Sequence, residues 1–294
     1  MSNLNPIFIA GGTASGKSAL ALALAENLGG EIVSVDSMQV YRGLNIGTAK
    51  PTAAELARVP HHLVDICNLT EAFDAAQFIR RAQTAVADIQ ARQRVPIFCG
   101  GTGMYFKAYL DGLGEAPPAD PALRQTLEQL PYADLLAELK ANDPAAYEKI
   151  DKQNPRRVIR AVEVIRLTGK KFSEQRAEWK TPATTAPATR HICLRRAPED
   201  QHARINARVD EMFAHGLVAE TKALLDQGLA QNQFAMQAIG YRQVVEHLRG
   251  ERDLAATIEL VKIKTRQFAK RQLTWFRQYS RGQWIDLPAG PVEV

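Results

Sequence analysis

The stretch Gly11-Gly12-Thr13-Ala14-Ser15-Gly16-Lys17-Ser18 matches the phosphate-binding pattern G-x-x-x-x-G-K-[S/T] at every fixed position. Residues 7–10 are apolar and predict a short buried strand, and residues 18–28 predict an Ala- and Leu-rich helix that ends at Gly29-Gly30. Glycines let successive N–H groups turn toward one anion, and the helix N-terminus adds its positive end. The stretch therefore predicts a phosphate loop, residues 11–18, between a strand and a helix.

Two side chains of the phosphate loop supply further phosphate chemistry. The Lys17 ammonium can reach terminal phosphate oxygens, and the Ser18 hydroxyl can hold Mg²⁺. The loop alone leaves open which phosphate compound binds and whether the phosphate itself is transferred.

The first third of the chain alternates strand and helix patterns. Residues 31–36 predict a second strand that ends in Asp36, residues 73–93 a helix, and residues 95–99 a strand that leads into Gly100-Gly101-Thr102-Gly103. This alternation predicts an α/β fold with a parallel sheet, which binds ligands at the carboxyl ends of its strands. We therefore expect the phosphate loop, Asp36 and Thr102 to converge on one crevice.

Several classes of protein are disfavoured by composition. Residues 1–5 carry no basic cluster, and no apolar run reaches the roughly 18 residues of a membrane span. The three cysteines are far apart, which predicts free buried thiols in a reducing compartment. His61-His62 with Cys67 is the nearest approach to a zinc pattern, and it lacks the ligand spacing. We expect a cytoplasmic, monomeric protein without a membrane partner.

Positive charge is concentrated in two segments. Residues 152–180 carry a net charge of +6 and residues 262–281 a net charge of +7, although the whole chain has only +5. Two basic segments on an otherwise acidic chain indicate a polyanion partner, while solvated helix faces are the simpler alternative.

The chain changes character near residue 114. From there to about residue 188 the patterns are helical, with a helix start at Asn154-Pro155 and a stop at Gly169. Residues 181–187 resemble a linker, and residues 191–194 a strand that returns to the core. We expect a helical insertion, residues 116–187, within a catalytic core formed by residues 1–115 and 188–294.

The last helix has a mixed pattern. Its expected buried stripe consists of Leu254, Ile258, Val261, Phe268 and Trp275. Lys264 and Arg271 project near this stripe, which suggests that they point into a site.

On the phosphate loop alone, a small-molecule kinase is the first expectation. A GTPase is disfavoured because the chain lacks the guanine-reading sequence Asn-Lys-x-Asp. Further motif blocks change this ranking. They are DSMQVYRGLNIGTAKP (36–51), VPHHLVDI (59–66), GGTGMY (100–105), RVIRAVEV (157–164), GYRQ (240–243) and TRQFAKRQLTWF (265–276).

In this order the blocks resemble the tRNA dimethylallyltransferases, the bacterial tRNA isopentenyltransferase family. The resemblance covers nearly the whole chain. One departure is Gly12, where the family's phosphate loop commonly has Pro. The resemblance implies a P-loop NTPase-like parallel sheet flanked by helices, with an all-helical insertion domain that contacts tRNA.

The resemblance also implies the reaction. A dimethylallyl group passes from dimethylallyl diphosphate to N6 of adenosine 37, beside the anticodon, in tRNAs that read codons beginning with U. The partners are then the tRNA anticodon stem-loop and dimethylallyl diphosphate, and the cofactor is Mg²⁺ with Ser18 as its ligand. Preorganised donors around the phosphate loop would stabilise the departing diphosphate.

Asp36 is the candidate general base and Thr102 its neighbour at the reaction centre. A magnesium-holding or strand-capping role stays open for Asp36, as does a helix N-cap for Thr102. Arg208 matches a family arginine associated with the diphosphate, with a surface charge as the alternative. The expected diphosphate-binding residues are Gly11, Thr13, Ala14, Ser15, Gly16, Lys17, Ser18 and Arg208.

The RNA path also follows from the resemblance. Its expected residues are Asp36, Ser37, Met38, Gln39, Arg124, Arg156, Arg157, Val158, Ile159, Arg160, Ala238, Ile239, Gly240, Tyr241, Arg242 and Gln243. Lys262, Arg266 and Lys270 of the last helix are expected to hold the RNA backbone, whereas Trp275 and Phe276 are expected in the core. A metabolite kinase, prenyl transfer to free AMP and an RNA-binding module with an inactive loop are the alternatives.

Overall fold

A parallel β-sheet forms the centre of one of the two compact units of the protein. The computed structural model describes residues 4–175, 190–279 and 282–290, and within them six strands form one sheet in the order β3-β2-β4-β1-β5-β6. The strands are β1 (Ile7–Gly11), β2 (Gly30–Val35), β3 (His61–His62), β4 (Val95–Gly100), β5 (Arg190–Arg195) and β6 (Gln283–Asp286). The predicted α/β class with a parallel sheet is confirmed, including the return strand β5.

Helices surround the sheet and form a second compact unit. One unit comprises residues 1–109 and 186–294, and the other, the helical unit, residues 110–185. The helices of the first unit are α1 (Lys17–Leu28), α2 (Ala53–Arg58), α3 (Ala75–Ala91), α4 (Gly103–Asp111), whose last two residues belong to the helical unit, α10 (Pro198–Ala214), α11 (Leu217–Asp226), α12 (Tyr241–Leu248) and α13 (Leu254–Tyr279). Two 3-10 turns, Leu229–Gln231 and Ala235–Gln237, precede α12.

The sheet is buried on both faces because β1 and β4 are apolar at every position. Successive side chains of a strand point to opposite faces. Phe8 and Phe98 therefore pack on one face, where their rings stack with centroids 4.7 Å apart, and Ile9 and Ile97 pack on the other. This arrangement matches parallel sheets that are covered by helices on both sides.

The strand register brings three carboxyl ends together. Ala10 of β1 and Val35 of β2 both pair with Gly100 of β4, so the three strands end at the same edge. The chain then enters the phosphate loop after β1, reaches Asp36 after β2 and reaches Thr102 after β4. The phosphate loop, Asp36 and Thr102 therefore follow strands that end at the same edge of the sheet, which is the edge at which we expected the site.

The helical unit has its own apolar core. Its helices are α5 (Pro121–Gln129), α6 (Tyr132–Asn142), α7 (Pro144–Lys149), α8 (Pro155–Thr168) and α9 (Phe172–Gln175). Leu127, Leu139 and Val162 lie at the centre of this core and are fully buried. Residues 176–189, which include the expected linker and the expected end of the insertion at residue 187, lie outside the described residues.

The predicted stripe of α13 is wrong in part. Val261 is buried, but Leu254 and Phe268 are 42% and 37% exposed. The buried line of this long helix includes two polar residues, Thr257 and Gln272. Gln272 donates to the Gly101 carbonyl, which is backbone that needs a hydrogen-bond partner, whereas the Thr257 hydroxyl bonds to the Asp253 carbonyl one turn earlier. Apolar residues alone therefore do not mark its inner face.

Two expectations from composition can be compared with the structure. Cys67, Cys99 and Cys193 are buried free thiols, as predicted. No helix in the described residues combines the length and the apolar character needed to cross a membrane.

Candidate active site

The phosphate loop connects β1 to α1 in a conformation that exposes its N–H groups. Ala14 and Gly16 adopt left-handed conformations, with φ of 60° and 98°. The N–H of Ser15 donates to the carbonyl oxygen of Gly12 at 3.2 Å, whereas those of Ala14 and Gly16 donate to none of the described residues. Such free donors beside a helix N-terminus form an anion-binding concavity.

The carbonyl groups of the loop are held by side chains from distant segments. Gln201 Nε2 donates to the Thr13 oxygen at 3.0 Å, Arg204 Nε to the Ala14 oxygen at 3.2 Å and Arg196 Nε to the Ser15 oxygen at 3.1 Å. Because the carbonyls are occupied on this side, the N–H groups keep their orientation toward the ligand. Sequence reasoning missed these three residues, and only the positive charge of the arginines pointed toward them.

Gly12, the departure from the family pattern, lies against one of these side chains. A Cβ at this position would lie 2.7 Å from Gln201 Nε2. The glycine therefore makes room for the hydrogen bond that holds Thr13. The loop conformation does not depend on a proline here.

The Ser15 hydroxyl is buried in the loop and bonds to none of the described residues. An unpaired buried hydroxyl costs about 1–3 kcal/mol. A phosphate oxygen bound in the loop would supply the missing partner.

Lys17 has the electrostatics of a ligand-binding lysine. Its Nζ donates to the Gly12 carbonyl at 3.3 Å. Burial lowers the pKa of Lys17; among nearby groups, Arg208 adds to this effect and Cys99 and Asp36 oppose it. Because Arg208 and Asp36 both act on Lys17, these two predicted site residues lie within electrostatic reach of the loop.

Arg208 extends one face of α10 that faces the phosphate loop. Gln201, Arg204 and Arg208 are one turn apart on this helix, and the first two hold loop carbonyls. Arg208 makes no hydrogen bond or ion pair with any described residue, and burial lowers its pKa, with a further contribution from Arg204. A half-buried cation without a partner is costly, so this position favours a bound anion.

Asp36 follows β2 and is held by the turn that it starts. Its Oδ1 accepts the N–H groups of Met38 at 2.8 Å and Gln39 at 3.3 Å. Its Oδ2 accepts no hydrogen bond from the described residues. One oxygen thus fixes the orientation of the carboxylate while the other can accept a proton.

Thr102 connects the end of β4 to the Asp36 turn. Its N–H donates to the Val35 oxygen at 3.1 Å, and its Oγ1 accepts the Ser37 N–H at 3.3 Å. The hydroxyl oxygen therefore bonds across to the neighbouring strand end rather than capping α4, while its proton can still be donated. The structure brings Thr102 and the Asp36 turn together as the strand pattern predicted.

Gln272 of α13 joins two parts of the site. Its Oε1 accepts the Thr13 N–H at 2.8 Å, and its Nε2 donates to the Gly101 carbonyl at 3.0 Å. Sequence reasoning missed this role, although the residue lies in the TRQFAKRQLTWF block. A polar residue on the inner side of a long helix was the available signal.

Next to Gln272, the surface of α13 carries a groove of about 440 Å³, called here the α13 groove. Arg271 lies 5.8 Å from the ring centroid of Phe268 on the same helix. Trp275 packs on Gly103, which has no room for a Cβ. Cations beside aromatic faces are typical of single-stranded nucleic acid sites. The residues that line the groove are Gln267, Lys270, Arg271, Thr274, Trp275 and Gln278.

The predicted RNA-contacting residues differ in exposure. Arg156, Arg157 and Arg242 are exposed, and the half-buried ones are Asp36, Ser37, Met38, Gln39, Arg124, Arg160 and Ile239. The buried ones are Val158, Ile159, Ala238, Gly240, Tyr241 and Gln243. RNA contact by any of these residues stays a prediction, and the buried ones pack inside the protein.

The residues of α13 that were expected to hold the RNA backbone also differ in their contacts and exposure. Lys262 pairs with Asp210 at 2.8 Å and with Glu259 at 2.9 Å, and Arg266 Nη1 bonds Asn206 at 2.5 Å. Lys270 lies exposed and forms no ion pair with any described residue. Phe276 is buried, in line with the expected core position, whereas Trp275 is half-buried and lines the α13 groove.

The donor set next to the loop is compatible with Mg²⁺. Within the described residues, no three His, Cys, Asp or Glu side chains gather as a metal cluster. Mg²⁺ does not require such a cluster, because it often binds through substrate phosphates, waters and one or two protein oxygens. Ser18, an exposed residue at the start of α1, carries a hydroxyl oxygen of this kind.

Comparison with known proteins gives a consistent result. A family model described as IPP transferase matches residues 39–279. The chain belongs to this family. It is 47% identical to the tRNA dimethylallyltransferase 1 of Trichlorobacter lovleyi, over 98% of this chain and 95% of that protein. It is 46% identical to the tRNA dimethylallyltransferase of Stenotrophomonas maltophilia strain K279a, over 95% and 92%.

Solved structures of the family share the fold. The full-length tRNA isopentenylpyrophosphate transferase of Bacillus halodurans is 39% identical, with a TM-score of 0.69 over 97% of this chain and 90% of that one. A eukaryotic dimethylallyltransferase described as acting on tRNA is 30% identical, with a TM-score of 0.79 over 96% and 74%. The resemblance stated from the motif blocks is therefore confirmed at the level of family and fold.

Proposed function

We propose that this protein transfers a dimethylallyl group from dimethylallyl diphosphate to N6 of adenosine 37, beside the anticodon, in tRNAs that read codons beginning with U. The observation that carries the proposal is the convergence of a phosphate loop and a turn-held carboxylate at one sheet edge in a chain of the IPP transferase family. We propose further that the protein acts on tRNA as a monomer in the cytoplasm.

The phosphate loop holds the leaving group in this proposal. The free N–H groups of Ala14 and Gly16, the Ser15 hydroxyl, Lys17 and Arg208 surround the position of the diphosphate. Charge grows on the bridging oxygen as the C–O bond breaks, and preorganised donors stabilise it. Gly11, Ser18 and the hydroxyl of Thr13 complete the proposed cradle, since the Thr13 N–H already donates to Gln272. Mg²⁺ held by Ser18 would neutralise part of the diphosphate charge.

Asp36 removes the proton that the adenine amine loses. The new bond forms between N6 and the dimethylallyl carbon, the bond from that carbon to the diphosphate oxygen breaks, and its electron pair leaves with the diphosphate. The N6 proton passes to Oδ2 of Asp36, which accepts no other hydrogen bond from the described residues. Thr102, bonded to Ser37, orients the carboxylate or the adenine through its hydroxyl proton.

RNA contacts are proposed for both units separately. In the first unit, the α13 groove offers Lys270 and Arg271 to phosphates and Trp275 to a base. In the helical unit, the arginines of α5 and α8 offer guanidinium groups to the RNA backbone. The target base must be unstacked from its loop, which costs a few kcal/mol.

The test combines the full chain, an unmodified tRNA and dimethylallyl diphosphate, and measures the mass of adenosine 37 after digestion. We expect a gain of one dimethylallyl group and the release of one diphosphate per transfer. The same RNA with guanosine at position 37 should gain nothing. Absence of transfer to a tRNA that one of the relatives modifies would refute the proposal. Transfer to AMP alone, or ATP turnover dependent on a small metabolite, would support the alternatives instead.

A further inference from the structure

A buried carboxylate in the helical unit binds two of the expected RNA-contacting arginines. Glu163 on α8 is fully buried, with a side-chain exposure of 0%. Its Oε2 accepts Arg124 Nη2 at 2.7 Å and Arg160 Nη1 at 2.6 Å, and its Oε1 accepts the Asp120 N–H at 2.9 Å. One side chain therefore connects the start of α5 with two guanidinium groups.

The carboxylate stays ionised despite its burial. Burial alone would raise the pKa of Glu163, but hydrogen bonds from Arg160, Arg124 and the Asp120 N–H outweigh it, so the pKa lies below its ordinary value. A buried charge of this kind is tolerated only with such partners. The interaction thus persists at neutral pH.

The two arginines are only partly used by this interaction. Their side chains are 31% and 27% exposed, and a guanidinium has five N–H donors. Arg160 Nη2 also donates to the Pro117 carbonyl, while Arg124 gives Glu163 a single hydrogen bond. Both guanidinium groups therefore keep N–H donors that can bind a ligand from the solvent side.

A third arginine increases the positive charge at this place. Burial lowers the pKa of Arg156, and the nearby Arg124 lowers it further, whereas Glu128 opposes both. Like charges at short range repel one another, and Glu128 and Glu163 offset part of this repulsion. Glu163 supplies one negative charge from the inside and leaves the cluster net positive on the outside.

We propose that Glu163 is a positioning residue for RNA binding, which fixes the guanidinium groups of Arg124 and Arg160 beside one another for contact with the RNA phosphodiester backbone. The inference rests on the proposed function, because the RNA substrate comes from there. Fixed guanidinium groups bind phosphate in a defined geometry, whereas mobile cations act as point charges. Phosphate contacts of this kind set the register of a protein on its RNA.

The same helix provides a matched control. Arg166 of α8 makes two hydrogen bonds to Glu138, at 2.8 and 2.6 Å, in the same helical unit. This pair involves one arginine and lies nearer the surface, with Glu138 26% exposed. Glu138→Gln removes the same charge from the same unit without touching Arg124 or Arg160.

The first experiment compares wild type, Glu163→Gln and Glu138→Gln in binding an unmodified anticodon stem-loop RNA, by fluorescence anisotropy at several salt concentrations. Both substitutions raise the net charge by one, so charge alone predicts tighter binding of a polyanion. A positioning role predicts the opposite effect for Glu163→Gln, namely about 10-fold weaker binding. The slope of log affinity against log salt concentration should also become smaller by about 1, since two phosphate contacts are impaired. Glu138→Gln should bind at least as tightly as wild type.

The second experiment separates positioning from a merely structural role. In an Arg124→Gln, Arg160→Gln background, adding Glu163→Gln should change RNA affinity by less than about twofold, because its partners are gone. In the otherwise native enzyme it should raise KM for RNA about 10-fold while kcat at saturating RNA and KM for the prenyl donor stay within about twofold. An equal loss of affinity in both backgrounds, or a loss in kcat alone, would overturn the proposal.

A further variant covers the case in which Glu163→Gln unfolds the helical unit. Arg160→Lys keeps the positive charge and leaves Glu163 paired with Arg124, so the unit should keep its thermal unfolding transition. We expect it to bind RNA about fivefold more weakly, because a lysine lacks the planar fork. Unchanged binding would overturn the proposal. Wild-type protein whose RNA affinity depends on Glu163 but which transfers no prenyl group would refute only the proposed function.

Discussion

Gln272 accepts a hydrogen bond from the N–H of Thr13 at 2.8 Å, across 259 residues of chain. The same side chain donates to the Gly101 carbonyl at 3.0 Å, so one glutamine links the phosphate loop to the loop that carries Thr102. Both hydrogen bonds of Gln272 are made to backbone groups, the Thr13 N–H and the Gly101 carbonyl. The position of the phosphate loop relative to the end of β4 therefore depends on α13.

We predict that Gln272→Leu weakens diphosphate binding and destabilises the protein. The substitution leaves the Thr13 N–H unpaired, which costs about 1–3 kcal/mol when buried, and removes one of the two hydrogen bonds to the Gly101 carbonyl, which keeps the Gly103 N–H. Isothermal titration with diphosphate and urea unfolding measure the two effects. Gln125→Leu, on the exposed side of α5, is the control and should change neither. Wild-type diphosphate affinity and stability in Gln272→Leu would contradict the assigned link.

The second prediction concerns Asp36. Asp36→Asn should lower kcat about 10²–10⁴-fold, the usual contribution of a general base, while diphosphate affinity stays equal or rises. Asparagine keeps an oxygen for the N–H groups of Met38 and Gln39, so the turn is preserved. Single-turnover transfer and diphosphate titration measure the two quantities. Asp88→Asn, an exposed residue of α3, should behave as wild type.

The outcome for Asp36 also distinguishes its two candidate roles. A base acts on the amine proton, so its loss should leave the leaving-group site intact. If diphosphate affinity in the presence of Mg²⁺ falls as much as kcat does, Asp36 holds the metal instead. That result would leave the proposed reaction standing and would change only the residue that accepts the proton.

The sequence allowed prediction of those parts of the site that are encoded locally. The phosphate loop, the two strands and Asp36 are contiguous patterns, and the parallel register then makes their ends meet. The side chains that hold the loop are different. Gln201 and Arg204 lie 188 and 190 residues from the carbonyls that they bind, and no local periodicity records such a pairing. The inner face of α13 was misjudged because Leu254 and Phe268, expected in the buried stripe, are exposed, whereas the polar Gln272 is buried.

The third prediction is a pH dependence of diphosphate binding. Burial and Arg208 lower the pKa of Lys17 in the free protein, and a bound diphosphate would raise it. The affinity for diphosphate should therefore be highest below the pKa that Lys17 has in the free protein. It should fall as the pH rises from that pKa toward the higher pKa of Lys17 in the complex. In this window binding takes up a proton.

Calorimetric titrations in two buffers of different ionisation enthalpy measure this proton uptake. Lys17→Met should abolish it and weaken diphosphate binding. Lys222→Met, at an exposed position of α11, should keep the uptake unchanged. Affinity that rises with pH, or uptake that persists in Lys17→Met, would assign the titration to another group.

The last prediction concerns Tyr241, an expected RNA contact whose side chain is fully buried. Its hydroxyl donates to Glu220 at 2.5 Å and accepts the Gly47 N–H at 3.1 Å, and burial together with Glu220 raises its pKa. Tyr241→Phe keeps the ring but should lower the free energy of unfolding by about 1–3 kcal/mol, because the Gly47 N–H loses its partner. RNA affinity should stay within about twofold, because the ring remains inside. Tyr109→Phe, whose hydroxyl bonds to none of the described residues, should leave stability unchanged. A tenfold loss of RNA affinity in Tyr241→Phe with unaltered unfolding would show instead that the hydroxyl reaches the RNA.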